Sequence, residues 1–341
     1  MKYSQRIVCS LCALLLCACQ WQDKPQIKGQ FETYLTRIAS VQNVHSLPSP
    51  KTMAVTLPEK RQTHQLIPSV SIGLLDSYQF RQCELFHLIA ERNSILGKVQ
   101  DEFRNLDYQL LILHGLHQCQ TNPAITDEFR QKIQKLIAFK QRHITQHWHN
   151  FLYTSESMRH QMTTQQWYQS NRDYGKTPAA LVRLNHIHQW IDNSQWQRTP
   201  AMIAPYQETL DKRPLIGDLM FSMLNATQWL NIITEQLTHN DAQIWCGPNT
   251  NRTRLQHLRN VFQRFFIGDI QPYLASVDGA YLEIEKPLTL FAPLKRPHPV
   301  TAQVYRLPID TIHRNFRQAI ARHIAYWQTL FKRCSVNVGN R

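Results

Sequence analysis

Glu91, Arg92 and Asn93 follow one another beside a strongly apolar helical face, and polar groups so placed invite two readings. In a cleft, Glu91 is a candidate general acid, because desolvation raises a carboxyl's pKa toward the range where it can give up a proton usefully. In a packed fold, Arg92 or Asn93 instead satisfies buried backbone groups where a helix ends or kinks, and Glu91 pairs with a cation. The structural reading carries more weight, since perturbed carboxylates arise in ion pairs as well as in active sites. The chain also holds 16 histidines. His143 and His147 stand four apart, a spacing that can chelate a metal from one helix, and His149 is close by. The residue after His143 is isoleucine, so the HExxH arrangement of a metalloprotease is not formed. His114 and His117 are three apart, and His186 and His188 are two apart and point away from each other on a helix. No metal and no cofactor are expected.

Other sequences that could carry chemistry fail on their context. Ser155-Glu156-Ser157 has the Glu-Ser pair of lytic transglycosylases, but the following Met-Arg-His-Gln lacks that family's glycine-rich continuation. There is no nucleophile elbow, Walker loop or dinucleotide fingerprint. Aromatic residues at helical spacing, such as Trp148 with Phe151 and Trp327 with Phe331, read as core. Lys295-Arg-Pro-His298 is basic and could touch phosphate or sugar; a solvated loop is the plainer reading.

The cysteines are informative through the first nineteen residues. Lys2 and Arg6 precede a short apolar run, Ile7 to Leu16, too short to span a bilayer. It ends in Leu16-Cys17-Ala18-Cys19, which resembles the bacterial lipobox. That resemblance implies removal of residues 1–18, a diacylglycerol on Cys19 and an acylated amine, enough chains for a stable anchor. Gln20 follows, rather than aspartate, and by the lipoprotein sorting rule this implies the outer membrane, facing the periplasm of a Gram-negative cell. Four cysteines remain: Cys83, Cys119, Cys246 and Cys334. In an oxidising compartment an even number suggests two disulfides, with three possible connectivities. No CxxC spacing supports a metal site.

The elements that must position these residues are helical. Ten glycines among 341 residues, with 43% hydrophobic residues, favour helices over turn-rich sheets. The expected fold is an all-α multi-helix bundle with proline-rich extended connections and no significant sheet. Its organising stretch runs from Ile72 to Cys119. Leu74, Leu75, Tyr78, Leu85, Phe86, Ile89 and Leu96 recur at three- and four-residue steps, predicting one helix of about 25 residues. Val99, Phe103, Leu106, Leu110 and Leu113 continue the period. One unbroken helix would hold Cys83 and Cys119 about 54 Å apart. A hairpin reversing near residue 101 would bring them together, which favours Cys83–Cys119 with Cys246–Cys334. Residues 19–30 read as a tether and 31–341 as a single helical domain, with a possible subdivision near 155–205. Val44 to Pro68 reads as an extended segment lying over the body. Further helices are expected from Thr126 through Phe151, from Thr177-Pro178 through Ile191, from Pro214 through Leu237, from Leu255 through Val277 with a disturbance near Gly268 and Pro272, and from Ile312 to about Cys334.

Gly73-Leu-Leu-Asp76, Cys83-Glu-Leu85, Ile89-Ala-Glu-Arg-Asn-Ser-Ile-Leu-Gly97 and Gln271-Pro-Tyr-Leu274, with the lipobox, resemble a group of uncharacterised gammaproteobacterial lipoproteins, domain of unknown function 3080. The resemblance covers nearly the whole chain after the signal and is most specific from Glu91 to Gly97. It implies compartment and fold, and carries no catalytic residue.

The net charge is +14, and removal of Lys2 and Arg6 leaves 14 − 2 = +12. Such a surface suits an anionic neighbour. Nucleic acid is not expected in the envelope, which leaves an anionic envelope component or an envelope protein. The leading expectation is a lipid-anchored, non-enzymatic binding or structural protein. The alternatives are an enzyme acting on envelope polymers with Glu91 as acid, and a carrier of an apolar ligand within the bundle.

Overall fold

Every regular element among the described residues is helical. The computed structural model describes residues 27–70, 78–196, 202–246, 252–295 and 305–336. In chain order the helices are α1 (Ile27–Gln42), α2 (Lys60–Thr63), α3 (Phe86–Asn93), α4 (Ile95–Lys98), α5 (Glu102–Gln120), α6 (Asp127–Thr154), α7 (Glu156–Met162), α8 (Thr177–Asp192), α9 (Gln207–Lys212), α10 (Leu215–His239), α11 (Thr253–Val261), α12 (Gln271–Ile284) and α13 (Ile309–Arg333). Short 3₁₀ turns, including Phe80–Cys83 and Pro287–Phe291, join some of them, and a π-helix, Phe262–Ile270, lies between α11 and α12. Contacts group the described residues into two units, one drawn from Met1–Lys51, Thr227–Ala275 and Gln318–Arg341, the other from Thr52–Ala226 and Ser276–Arg317. The expected subdivision near 155–205 does not coincide with this division, because that whole stretch belongs to the second unit.

In the first unit, aromatic side chains pack around one buried histidine. Phe31 stacks on Trp229 and Tyr34 on Phe266, with ring centroids 6.0 and 6.1 Å apart, and Phe262 lies 4.3 Å from Trp327. His323 is fully buried among them. The Trp327 indole donates to its Nε2 at 3.1 Å, so Nε2 is an acceptor. The proton therefore sits on Nδ1, 3.0 Å from the Thr234 hydroxyl oxygen, whose own proton goes to the Leu230 carbonyl at 2.6 Å. Burial drives the His323 pKa down to about 3, and the ring is neutral. Cys246 is bonded to Cys334. The π-helix falls at the disturbance expected near Gly268 and Pro272. Proline lacks the N–H that an α-helix would offer the residue 268 carbonyl, and the Gln271 N–H reaches back five residues to Phe266.

The second unit is organised on α5 and α6. Residues 121–126 turn the chain back, and Thr126 caps α6 by accepting from the Phe129 N–H at 3.3 Å. The pairing is antiparallel: Phe103 meets Phe151 with ring centroids 4.8 Å apart, Gln109 meets Lys140, and His117 meets Gln141. An extended strap, residues 52–58 and 64–70 around the single turn of α2, crosses this body as expected. Asn225 and Asn150 each hold one strap residue by both backbone groups, Met53 and Gln65 respectively, at 2.8–2.9 Å. Amide side chains thus supply the pairing that a neighbouring strand would give.

Several expectations need correction. The predicted 25-residue helix is broken. Glu84 adopts a left-handed conformation (φ 61°) after the Phe80–Cys83 turn, and Ser94, in extended backbone, stops α3 and caps α4. Tyr78, Leu96 and Val99, expected in the core, are exposed, since the break rotates them off the buried face, while Ile89 stays buried. Leu74 and Leu75 lie outside the described residues. The reversal is where it was expected: Asp101 caps α5 by accepting from the Arg104 N–H at 3.0 Å, and Cys83 is bonded to Cys119 with Cα atoms 5.2 Å apart. α1 begins at Ile27 rather than after residue 30, because Ile27 sits one turn before Phe31 and both are buried. Thr177, expected as the N-cap of α8 with Pro178 at its first position, lies inside the helix. It is the first helical residue, and its hydroxyl donates to the Arg213 carbonyl at 3.2 Å.

Candidate functional site

Four segments of the second unit enclose a cavity of about 450 Å³: the strap at Ile67–Val70, the α3–α4 arm, α5 at Tyr108 and Gln109, and α6 from Phe139 to His147. Among the described residues its lining carries three cations, Arg92, Lys98 and Lys140, and no carboxylate.

Arg92 is placed by the arm that follows it. Ser94 closes α4 into a tight turn by accepting from the Gly97 N–H at 3.0 Å and donating to the Glu91 carbonyl at 2.7 Å. Gly97 then comes so near the Glu91 and Arg92 carbonyls that a Cβ there would collide with both. The Gly97 carbonyl faces back and accepts from the Arg92 guanidinium at 2.7 Å. Gln100 and Asn105 accept from the same group at 3.0 and 3.1 Å. These acceptors are all neutral, so Arg92 is held while its charge is left uncompensated by them.

Lys140 reaches the cavity from α6 and donates to the Gln109 side-chain oxygen at 2.7 Å, again a neutral acceptor. The Tyr108 ring has the Arg92 and Lys140 charges each 5.4 Å from its centroid. Burial first, and then Arg92, pulls the Lys140 pKa down to about 8. His147 falls to about 3 through burial, with Lys140, His143 and Arg92 adding repulsion, so it is neutral near pH 7. Repulsion among Arg92, Lys140 and His147 therefore adds to burial in disfavouring further positive charge at this wall. Asn93, Gln109, Ser69 and Tyr108 supply neutral polar groups, and Ile67, Pro68, Val70, Ile89 and Phe139 the apolar part.

The expected polar cluster is thus partly drawn together. Arg92 and Asn93 line the main cavity. Glu91 is exposed and lies instead on a smaller cavity of about 190 Å³, with Arg92, Arg104 and Asp107. Asp107 is a second carboxylate there, but its two oxygens accept from the Ile203 and Ala204 N–H groups at 2.7 and 2.9 Å, and it anchors that connection. Burial raises its pKa against those bonds.

The spaced histidines are not gathered into one centre. His143 Nδ1 lies 2.8 Å from the Phe139 carbonyl and His149 Nε2 2.9 Å from the Thr63 carbonyl of the strap, while His147 lines the cavity. His114 and His188 meet the carbonyls of Trp196 and Ala292. Among the described residues no group of three or more metal-ligating side chains is close enough to hold an ion. Lys295 pairs with Asp192 at 3.1 Å; residues 296–298 of that basic run lie outside the described residues, as do Cys19 and the whole of 1–26. No helix among the described residues is long and apolar enough to cross a membrane.

Two polar features were not anticipated. One is Lys140. The other is Asp218, fully buried in the same unit, which accepts from Thr164 at 2.7 Å, Arg172 at 2.9 Å and Tyr174 at 3.0 Å. With all these donors satisfied by one carboxylate, it joins α10 to the 164–174 connection as a structural ion pair.

A family model described as a protein of unknown function, DUF3080, matches residues 31–338. Neither the curated proteins nor the solved structures contain a match.

Proposed function

The chain belongs to the DUF3080 family, whose function is unknown, and we propose that it is a lipid-anchored, periplasm-facing binding protein of the outer membrane that takes up an anionic group of an envelope component. The observation that carries this is the cavity itself: among the described residues Arg92, Lys98 and Lys140 line it without a carboxylate, and neutral acceptors hold Arg92 and Lys140 in place. Holding cations this way keeps them ordered without neutralising them, which favours recognition of an incoming negative charge. The lipobox at Leu16–Cys19, Gln20 after it and the basic chain support the compartment and the sign of the partner's charge.

The enzymatic alternative with Glu91 as general acid receives less support. Glu91 is exposed, and Asp107, the second carboxylate on the smaller cavity, has both oxygens engaged by backbone N–H groups. A carrier of an apolar ligand would need a dry apolar chamber, and the 450 Å³ cavity is rimmed by cations.

The test uses intact protein solubilised from the envelope in mild detergent. Native mass spectrometry should find an anionic component retained by the wild type and lost from Arg92→Gln and Lys140→Gln. Equal retention by all three would contradict the assignment. In parallel, Cys19→Ala should abolish fatty-acid labelling; label persisting in the processed variant would remove the anchor.

A further inference from the structure

The turn that brings Lys98 to the cavity also turns apolar side chains outward. Ile95, Leu96 and Val99 are 85, 80 and 75% exposed. Leu66, next to the cavity-lining Ile67 on the strap, is 85% exposed. Large aliphatic groups left this bare forgo the stabilisation of burial, and a cluster of them at a functional rim calls for an occupant. The outward orientation is built in. Ser94 and Arg92 tie down Gly97 from both sides, and Asp101 caps α5 immediately afterwards, so the tip has no slack with which to fold inward.

The charges beside the tip select the occupant. Lys98 within the tip lines the cavity together with Arg92 and Lys140, and Arg104 lies on the smaller cavity that shares Arg92 and Tyr108 with it. Of the nearby carboxylates among the described residues, Asp101 is engaged at the α5 N-terminus, Glu102 accepts from Asn105 at 3.1 Å, Asp107 accepts from the Ile203 and Ala204 N–H groups, and Glu91 is exposed on the smaller cavity. An apolar tip that adjoins a cationic pocket is complementary to an anionic bilayer, with aliphatic groups entering the acyl boundary and a phosphate diester meeting the cations. A cavity of about 450 Å³ holds a headgroup.

We propose that the 94–99 turn is a membrane-docking tip, and that the cavity of Arg92, Lys98 and Lys140 seats the headgroup of an anionic phospholipid. This contact is separate from the acyl chains on Cys19, and it rests on the reading of the cavity as an anion site.

The experiment uses intact, lipid-anchored protein in vesicles, with a photoreactive leucine analogue at Leu96. Cross-linking to lipid should be several-fold higher in phosphatidylglycerol-containing vesicles than in phosphatidylcholine alone. Arg92→Gln and Lys140→Gln should each lower it roughly fivefold. Ile95→Ser with Val99→Ser, a change confined to exposed side chains, should lower it while leaving the melting temperature in place. Equal labelling in both vesicle types, no lipid labelling, or labelling of a protein instead would overturn the proposal. Glycerol phosphate protection of Lys140 from reductive methylation separates the two levels. Protection without lipid cross-linking overturns the docking tip and leaves the anion site, whereas loss of both overturns both.

Discussion

The Arg92 guanidinium donates to the Gly97 carbonyl at 2.7 Å, joining the two halves of the Glu91–Gly97 motif across the break between α3 and α4. The motif is thereby a brace. Ser94 sets the turn, Gly97 permits its closeness, and Arg92 is fixed at the mouth of the cavity as a result.

Gly97→Ala should damage the brace. The new methyl would meet the Glu91 and Arg92 backbone carbonyls, which no side-chain rotation can relieve. A loss of about 1–3 kcal/mol is expected, read as a lower denaturant midpoint at unchanged slope, together with weaker anion binding. Wild-type stability in this variant would mean that the turn is looser than described.

Lys140 should make anion binding pH-dependent. Its pKa in the folded chain is about 8, below the ordinary 10.5, with burial the main cause. Affinity for an anion should therefore be highest below pH 8 and fall as the amine loses its proton above it. The stability contribution has the opposite sign. The unfolded state binds the proton more tightly between these two values, so unfolding free energy should rise with pH through that window. Lys140→Gln should flatten both profiles, as followed by calorimetric titration and by urea unfolding.

Acid should destabilise both units through neutral histidines. His147 and His323 are each held near pKa 3 by burial, against an ordinary 6.5. Protons bind the unfolded chain first as pH falls from 6.5 toward 3, so stability should drop by about 1 kcal/mol per pH unit for each group. His147→Gln should reduce the slope of stability against pH. An unchanged slope would show that His147 is protonated in the folded chain.

The two disulfides should act independently. Cys83–Cys119 spans 36 residues and Cys246–Cys334 spans 88, and the loop-entropy model gives about 4 kcal/mol for the first and slightly more for the second. Cys83→Ser, Cys119→Ser and their double variant should melt alike, because one bond is lost in each case. Peptide mapping of unreduced protein that links Cys83 to Cys246 or Cys334 would contradict the pairing.

Much of the scaffold was legible because strong local signals coincide with it: Thr126 before an acidic first turn, Pro272 near the π-helix, and the polar Asp101 region at the reversal. A helix end or kink at Arg92 and Asn93 was one reading of the polar cluster, but the break at Ser94 was not marked by the periodicity. Apolar residues continue through it at helical spacing, and only the serine's capping geometry and the close approach of Gly97 turn Leu96 and Val99 to solvent. The site was half visible. Arg92 and Asn93 were singled out and His147 was weighed only as half of a metal-chelating pair, whereas Lys140 was read past, although it and His147 occupy the series Ile133, Ile137, Lys140, Ile144, His147, Phe151 at steps of four and three. Two basic residues in an otherwise apolar stripe mark where the α6 face leaves the core and lines a cavity. Asp218 was beyond reach, since its partners come from the 164–174 connection, where no periodicity reveals contact.

The central claim is that Arg92 and Lys140 together hold an anion. Its most direct test is calorimetric titration of intact protein with glycerol phosphate below pH 8, combined with amide exchange over α3–α6. The wild type should show saturable binding with protection confined to the cavity segments, and Lys140→Gln and Arg92→Gln should each weaken it roughly tenfold or more, the loss expected for one charge-assisted hydrogen bond. Absence of saturable binding, or affinity unaltered by both substitutions, would contradict it.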